Sequence, residues 1–362
     1  MTPARPDLDV ASWLQDEVPP DNPLTTKEGW AEFALRHVEP PVLLPPEQLL
    51  ALTPALRDAD TDKRKSYHAD LPLVNTPIIK RLLGTGRLLI QLNRKQISAR
   101  RGGIVSGASG TGKTTALTQL GRAHGLAIRK RYPDAHRIPV LYVTVPPAAT
   151  PRMLAVEFAR FFGLEFTSRA NLTDIINAVC HLAAHTHVDL VLVDEIHNIS
   201  LATRTGAETS DQLKYFAERI GATFFLAGVE VEAQGLFSGP RGRQIAGRFT
   251  VIPSAQFAYG TAQQREDWNA LIATLETMLR LHEHAPGTLA NMAEDLFQRS
   301  GGSIGSLSQL IRGAAILAIE GGTEQITGDL LDLVPVDFAA HTAYTTAKTR
   351  GKKKYTPAAE AI

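Results

Sequence analysis

The chain is nearly free of cysteine: Cys180 is the only one in 362 residues. One thiol cannot close an intrachain disulfide, which excludes a disulfide-stapled fold and fits a reducing compartment. Cys180 lies in an apolar helical pattern and is expected in the core. Long hydrophobic runs are also missing. No stretch is long enough to span a bilayer and no early run resembles a signal peptide, so a cytoplasmic location and no membrane partner are expected. Excess charge of either sign is absent, with 38 Lys and Arg against 37 Asp and Glu, so overall charge selects no partner class. Aromatic residues form no repeating stacking platform, which leaves single-strand nucleic-acid binding unsupported. His181, His185 and His187 are close in sequence, but no cysteine or carboxylate cluster accompanies them as a zinc site needs.

Against these absences stands one dense motif. Gly107-Ala108-Ser109-Gly110-Thr111-Gly112-Lys113-Thr114-Thr115 contains G-x-x-x-x-G-K-T, with an apolar strand before it and a helical run from about Thr114 to His124 after it. That is the context of a phosphate-binding P-loop. Glycines permit a tight turn and aim backbone N–H groups at phosphate. Lys113 is placed to reach the β- and γ-phosphates, and the Thr114 hydroxyl to ligate Mg²⁺. The run Leu190–Val193 reads as a strand buried on both faces and ends in Asp194-Glu195. Asp194 is expected to hold the metal and Glu195 to polarise the attacking water. The two motifs together complete one ATP and Mg²⁺ site.

Four regions follow from pattern and composition. Residues 1–70 are a proline-rich extension, with Pro19-Pro20, Pro40-Pro41 and Pro45-Pro46 interrupting short helical pieces. Residues 71–260 alternate strands and helices, the mark of an α/β nucleotide-binding domain. Expected strands are Gly103–Ser106, Val140–Thr144, Leu190–Val193, Ala222–Ala227 and Phe249–Ile252. Expected helices are Pro77–Leu83, Lys113–His124, Pro151–Phe162, Leu172–His185 and Ser210–Ile220, the last capped by Thr209 or Ser210. Residues 261–340 carry only helical patterns and form a lid domain. Residues 341–362 form a flexible tail that is basic from Lys348 to Lys354.

A P-loop α/β core with an Asp-Glu strand end and a helical lid resembles the AAA+ ATPases, which implies a parallel sheet flanked by helices. The segments VSGASGTGKTTALTQLGR, LVLVDEIHNIS, SGGSIGSLSQLIRGAAILAIEGG and HADLPLVNTP (residues 68–77) are similar to the TniB/TnsC group of transposon-encoded AAA+ regulators. That resemblance implies an ATPase that assembles as a homo-oligomeric ring or filament on double-stranded DNA. It further implies that the protein regulates transposition, recruiting or activating a DDE transposase of the TniA/TnsB type and contacting a TniQ-type target-selection protein. It also implies an arginine finger supplied by the adjacent subunit. Arg248, in an Arg-Phe pair before the last core strand, is the first candidate, followed by Arg243 and Arg241.

Two positions depart from the AAA+ pattern. Ala227, Gly228 and Val229 offer no polar sensor side chain, and Ser306 stands where a sensor arginine is expected, with Arg312 six residues on. Slow or partner-dependent hydrolysis is the implication. For DNA, Arg129, Lys130 and Arg152 rank above Arg94, among basic groups that also include Lys95, Arg100, Arg101, Arg131 and Arg137, as phosphate contacts that read no bases. Two rival functions remain: another AAA+ DNA machine, such as a remodeller or replication-initiator-type loader, and a nucleotide-binding scaffold that does not hydrolyse. His197 is assigned a structural or supporting role. Trp30 is expected to anchor a short helix, and Trp268 to pack in the lid.

Overall fold

The computed structural model describes residues 22–133, 136–167, 169–199, 203–233 and 247–337, together with Ala340. In chain order its elements are α1 (Lys27–Leu35), α2 (Pro46–Ala51), α3 (Pro54–Ala69), α4 (Pro77–Asn93), β1 (Gly102–Gly107), α5 (Lys113–Arg131), β2 (Val140–Thr144), α6 (Pro151–Phe161), α7 (Leu172–His185) and β3 (Leu190–Asp194). There follow α8 (Arg204–Arg219), β4 (Thr223–Val229), β5 (Phe249–Pro253), α9 (Ala262–Thr277), α10 (Thr288–Asn291), α11 (Ala293–Ser300), α12 (Ile304–Glu320) and α13 (Gly328–Leu333). The described residues divide into two units, 22–36 with 75–255 and 37–74 with 256–340.

The first unit is the α/β layer. Its strands are parallel in the order β2-β3-β4-β1-β5. Parallel sheets need helices on both faces, so inner strands become apolar throughout; every residue of β3 is buried. α1 docks here through Trp30, whose ring stacks on Tyr142 of β2 at 5.6 Å.

The second unit is all-helical and corresponds to the lid helices of an AAA+ fold. Its core gathers Trp268, Leu296, Leu307 and Ile311, and the Trp268 indole donates to the Ala293 carbonyl at 2.8 Å. α3 packs against α12 within this unit.

Several helices differ in extent from their expected bounds. α8 begins at Arg204, not Ser210, and its cap is Thr203, which accepts the Gly206 N–H at 3.0 Å. Thr209 is interior to the helix and donates to the Ala149 carbonyl at 2.8 Å, so its hydroxyl serves packing. α5 runs on past His124 to Arg131, and α4 past Leu83 to Asn93; glycines inside an amphipathic helix weaken it without ending it when the apolar face is buried. Among the described residues no single helix is long and apolar enough to cross a membrane.

Candidate nucleotide-binding site

Open parallel sheets bind ligands beyond the carboxyl ends of their strands, and the P-loop emerges there from β1, between β4 and β5. Gly110 (φ 73°) and Gly112 (φ 81°) take the left-handed conformation, which costs glycine nothing sterically. Gly112 precedes α5 and no side chain caps the helix start, leaving its first N–H groups for an anion. Gly107 is needed for close approach: a Cβ there would stand 1.8 Å from the Ser254 carbonyl oxygen. Ser254, just after β5, donates its N–H to Ser106 at 2.7 Å and its hydroxyl to the Thr111 carbonyl at 3.1 Å. It braces both ends of the loop, yet it belongs to no motif and sequence reading missed it.

Within the loop, Lys113 Nζ donates to the Ala108 carbonyl at 2.6 Å and Thr111 donates to the same oxygen at 2.9 Å. Ser109 and Thr114 are exposed, and Thr115 is half-buried. Burial pushes the Lys113 ammonium below the usual lysine range, while the carboxylates of Glu195, Asp194 and Glu230 pull it back up. Lys113, Asp194 and Glu195 therefore share one electrostatic site. Glu230 joins them: it follows β4 at a positive φ of 43°, and its N–H donates to the Gly107 carbonyl at 3.3 Å. It stands one residue beyond Val229, so a polar side chain follows directly on the strand end that lacks one.

Asp194 is buried, accepting the Glu195 N–H at 2.8 Å and the Tyr142 hydroxyl at 3.1 Å. Burial first, then the Asp194 charge, raises the Tyr142 phenol far above its usual range, so it stays a neutral donor. A glycine-rich loop running into a helix start that no side chain caps, a lysine and a buried carboxylate at one strand end fit a magnesium–nucleoside triphosphate. Among the described residues no three His, Cys, Asp or Glu side chains form a metal cage; Mg²⁺ bound to nucleotide draws most of its ligands from phosphate and water.

The remaining candidates lie apart from this cluster. Arg248 directly precedes β5, where its carbonyl accepts the Gly102 N–H at 3.0 Å. That is the amino end of the sheet, roughly 17 Å along the strand from the P-loop at about 3.3 Å per residue. Its guanidinium pairs with Glu218 at 2.9 Å and lines a cavity of about 290 Å³ with Arg100, Leu213 and Phe249. Arg241 and Arg243 lie outside the described residues. Arg129 and Lys130 are exposed in the last turn of α5. Arg152 is committed within the chain, donating to the Ala170 carbonyl at 2.5 Å and the Thr167 carbonyl at 3.1 Å. Ser306, in the helical unit, donates to Asp337 at 2.5 Å and does not stand free as a sensor.

Sheet order, P-loop, acidic strand end and helical second unit define the AAA+ P-loop fold. A family model described as an AAA domain matches residues 95–237, so the chain carries an AAA+ ATPase domain. Among solved structures the chain is similar to the ORC2 protein of Aeropyrum pernix in ADPNP-ADP complexes. That match has 18% identity, covers 76% of this chain and 70% of the other, and has a TM-score of 0.55. The Aeropyrum pernix ORC1 protein in complex with DNA matches with 17% identity over 81% of this chain and 71% of the other, with a TM-score of 0.50. No curated protein matches the sequence.

Proposed function

We propose that the chain binds ATP with Mg²⁺, assembles with copies of itself on duplex DNA and, in that state, recruits another protein. What supports this reading is where the proposed hydrolytic residues lie, at the two ends of the sheet. Lys113, Thr114, Asp194 and Glu195 lie at the carboxyl end and Arg248 at the amino end. In this reading the P-loop amides from Gly107 to Thr115 and Lys113 hold the phosphates, Thr114 and Asp194 hold the metal, and Glu195 orients water. Arg248 of one copy completes the site of the next. Bound magnesium supplies charge neutralisation on the phosphates.

Contact with DNA phosphates is supported by a local charge bias. From Leu71 through Pro133 the chain has no Asp or Glu, and Lys80, Arg81, Arg87, Arg94, Lys95, Arg129 and Lys130 are exposed along it. Likeness of fold to the ORC proteins, one of them solved with DNA, favours a loader of the replication-initiator kind. The TniB/TnsC-like segments favour the second reading, a transposition regulator acting on a DDE transposase with a TniQ-type partner. Electron microscopy with duplex DNA and a slowly hydrolysed ATP analogue tests the common part, and ordered assemblies that need both are the expected result. Adding a replicative helicase or a DDE transposase then separates the readings by which one the assembly retains. Absence of nucleotide-dependent assembly on duplex DNA would overturn both.

A further inference from the structure

β3 ends at Asp194, and Glu195 follows in the left-handed region at φ 57°, ψ 35°. A non-glycine residue there carries backbone strain, which persists only where surrounding contacts impose it. Those contacts are present. The single turn Ile196–Asn198 is closed by the Asn198 N–H on the Glu195 carbonyl at 2.9 Å. It is anchored by Asn198 Nδ2 on the Val145 carbonyl at 2.8 Å. His197, in the middle of this turn, reaches in two directions. Its Nε2 lies 3.1 Å from Glu195 Oε2. Its Nδ1 accepts the N–H of Val229, the last residue of β4, at 3.4 Å. A ring nitrogen that accepts cannot carry the proton, so the neutral ring holds it on Nε2 and donates to the Glu195 carboxylate.

The strand end is shaped for this arrangement. A Cβ at Gly228 would stand 2.6 Å from Ile196 Cγ2 and 3.2 Å from the His197 backbone nitrogen. The end of β4 must therefore be bare where the turn packs on it, at the place where a polar side chain is otherwise expected. We propose that His197 is the positioning residue of the hydrolytic site: it fixes the Glu195 carboxylate and ties it to the end of β4 through a backbone amide. His197 thus supplies the polar link that Ala227, Gly228 and Val229 do not. The proposal rests on the reading of Glu195 as the group that activates water.

Two substitutions separate the two bonds. His197→Asn places an acceptor near Nδ1 and removes the donor to Glu195. His197→Gln places a donor near Nε2 and removes the acceptor for Val229. Under conditions in which the parent releases phosphate, H197N is expected to lose roughly tenfold or more in kcat, the scale on which outer-shell partners act. ATP affinity should be unchanged, and H197Q, which keeps the donor to Glu195 but loses the tie to Val229, should fall between H197N and the parent. Turnover by H197N equal to or above the parent overturns the proposal, as does equal loss in both variants. A second readout needs no turnover. In protein labelled with ¹⁵N-histidine, the resonance pair that disappears in H197N should show the Nε2–H tautomer, and its Nε2 signal should move in Glu195→Ala. An Nδ1–H tautomer, or a signal indifferent to Glu195, overturns the contact itself. A parent that releases no phosphate with DNA and partners present removes Glu195 as a base, while the imidazole spectra still decide whether His197 holds it.

Discussion

Lys113 sits among three carboxylates, and the balance between them sets what nucleotide must overcome on binding. Burial works against the ammonium, while Glu195, Asp194 and Glu230 work for it. Two of these acids have proposed roles in metal binding and hydrolysis, but Glu230 has neither and adds negative charge where phosphate is proposed to bind. Glu230→Gln should therefore tighten ATP binding, by roughly two- to tenfold for a partly screened charge beside the site. Fluorescent-nucleotide titration measures it, and weaker binding would mean that Glu230 contributes a hydrogen bond to the ligand. Lys113→Ala should abolish ATP binding and, where no nucleotide-loaded chains are present to draw it in, ATP-dependent assembly, since the loop then lacks its cation. Glu195→Gln should keep binding and lose about a hundredfold or more in phosphate release, the usual weight of a general base. A titration paired with a phosphate-release assay on each variant checks both, and normal release by the glutamine variant would take Glu195 out of the chemistry.

Prolines in the amino-terminal region act as helix starters. Pro46, Pro54 and Pro77 each occupy the first turn of α2, α3 or α4, where the missing N–H costs no bond and the fixed φ suits the helix. Reading prolines as interruptions therefore suggested short pieces where α3 runs for 16 residues. What α3 does was not legible either, because its partners are more than 200 positions away in sequence. Arg64 pairs with Glu324 at 2.7 Å, and the Tyr67 hydroxyl donates to the Met278 carbonyl at 3.0 Å. His68, from the HADLPLVNTP segment, is fully buried; Nδ1 donates to the Arg64 carbonyl at 2.7 Å and Nε2 accepts the Arg280 N–H at 3.1 Å. The strand ends and the P-loop were readable because their chemistry is contiguous; Glu230 and Ser254 were not, because each acts across strands, and for His197 a supporting role was legible but its two partners were not. The buried histidines predict an acid limit for the helical unit. Burial lowers the His68 pKa, opposed by the hydrogen bond to the Arg64 carbonyl, with the Arg64 and Arg280 charges lowering it further and Glu324 raising it. Burial also lowers that of His284, against Glu276. A histidine favoured neutral in the fold stabilises fully above its unfolded pKa of about 6.5 and loses that contribution as pH falls below it, at up to about 1.4 kcal/mol per pH unit per site. Thermal melts from pH 7.5 to 5.5 should show falling stability. His68→Gln should be less stable at pH 7.5 but fall less steeply below 6.5, and an unchanged acid slope would remove His68 as a cause.

At the scale of the whole molecule, charge and site geometry both point outward to other chains. If exposed cations meet duplex phosphates, affinity should fall with salt and vary little with sequence. Replacing Arg129 and Lys130 with alanine should flatten the slope of log K against log salt by about 0.9 for each phosphate no longer neutralised, and an unchanged slope would move the DNA surface elsewhere. Arg152 is a control of different character: its guanidinium is held by Thr167 and Ala170 carbonyls, so its loss should cost stability before DNA affinity. The strongest case for assembly is Arg248. The strand β5 separates it from the P-loop end of its own sheet by roughly 17 Å, more than an arginine side chain spans, so within one chain it does not reach its own P-loop. In a head-to-tail assembly the amino end of one sheet can meet the carboxyl end of the next, because such interfaces join different surfaces of identical subunits. Lys113→Ala then keeps a working arginine but no P-loop, and Arg248→Ala keeps the P-loop but offers no arginine. Mixed in equal amounts, about one interface in four pairs an intact P-loop with an intact arginine. Phosphate release should rise from near zero in either pure variant to about a quarter of the parent rate. It should peak at equal mixing, with co-assembly confirmed by differently tagged chains. Mixed assemblies that stay inactive at every ratio would reject single-interface complementation and favour an in-chain role, another finger such as Arg243, or a need for several consecutive intact sites.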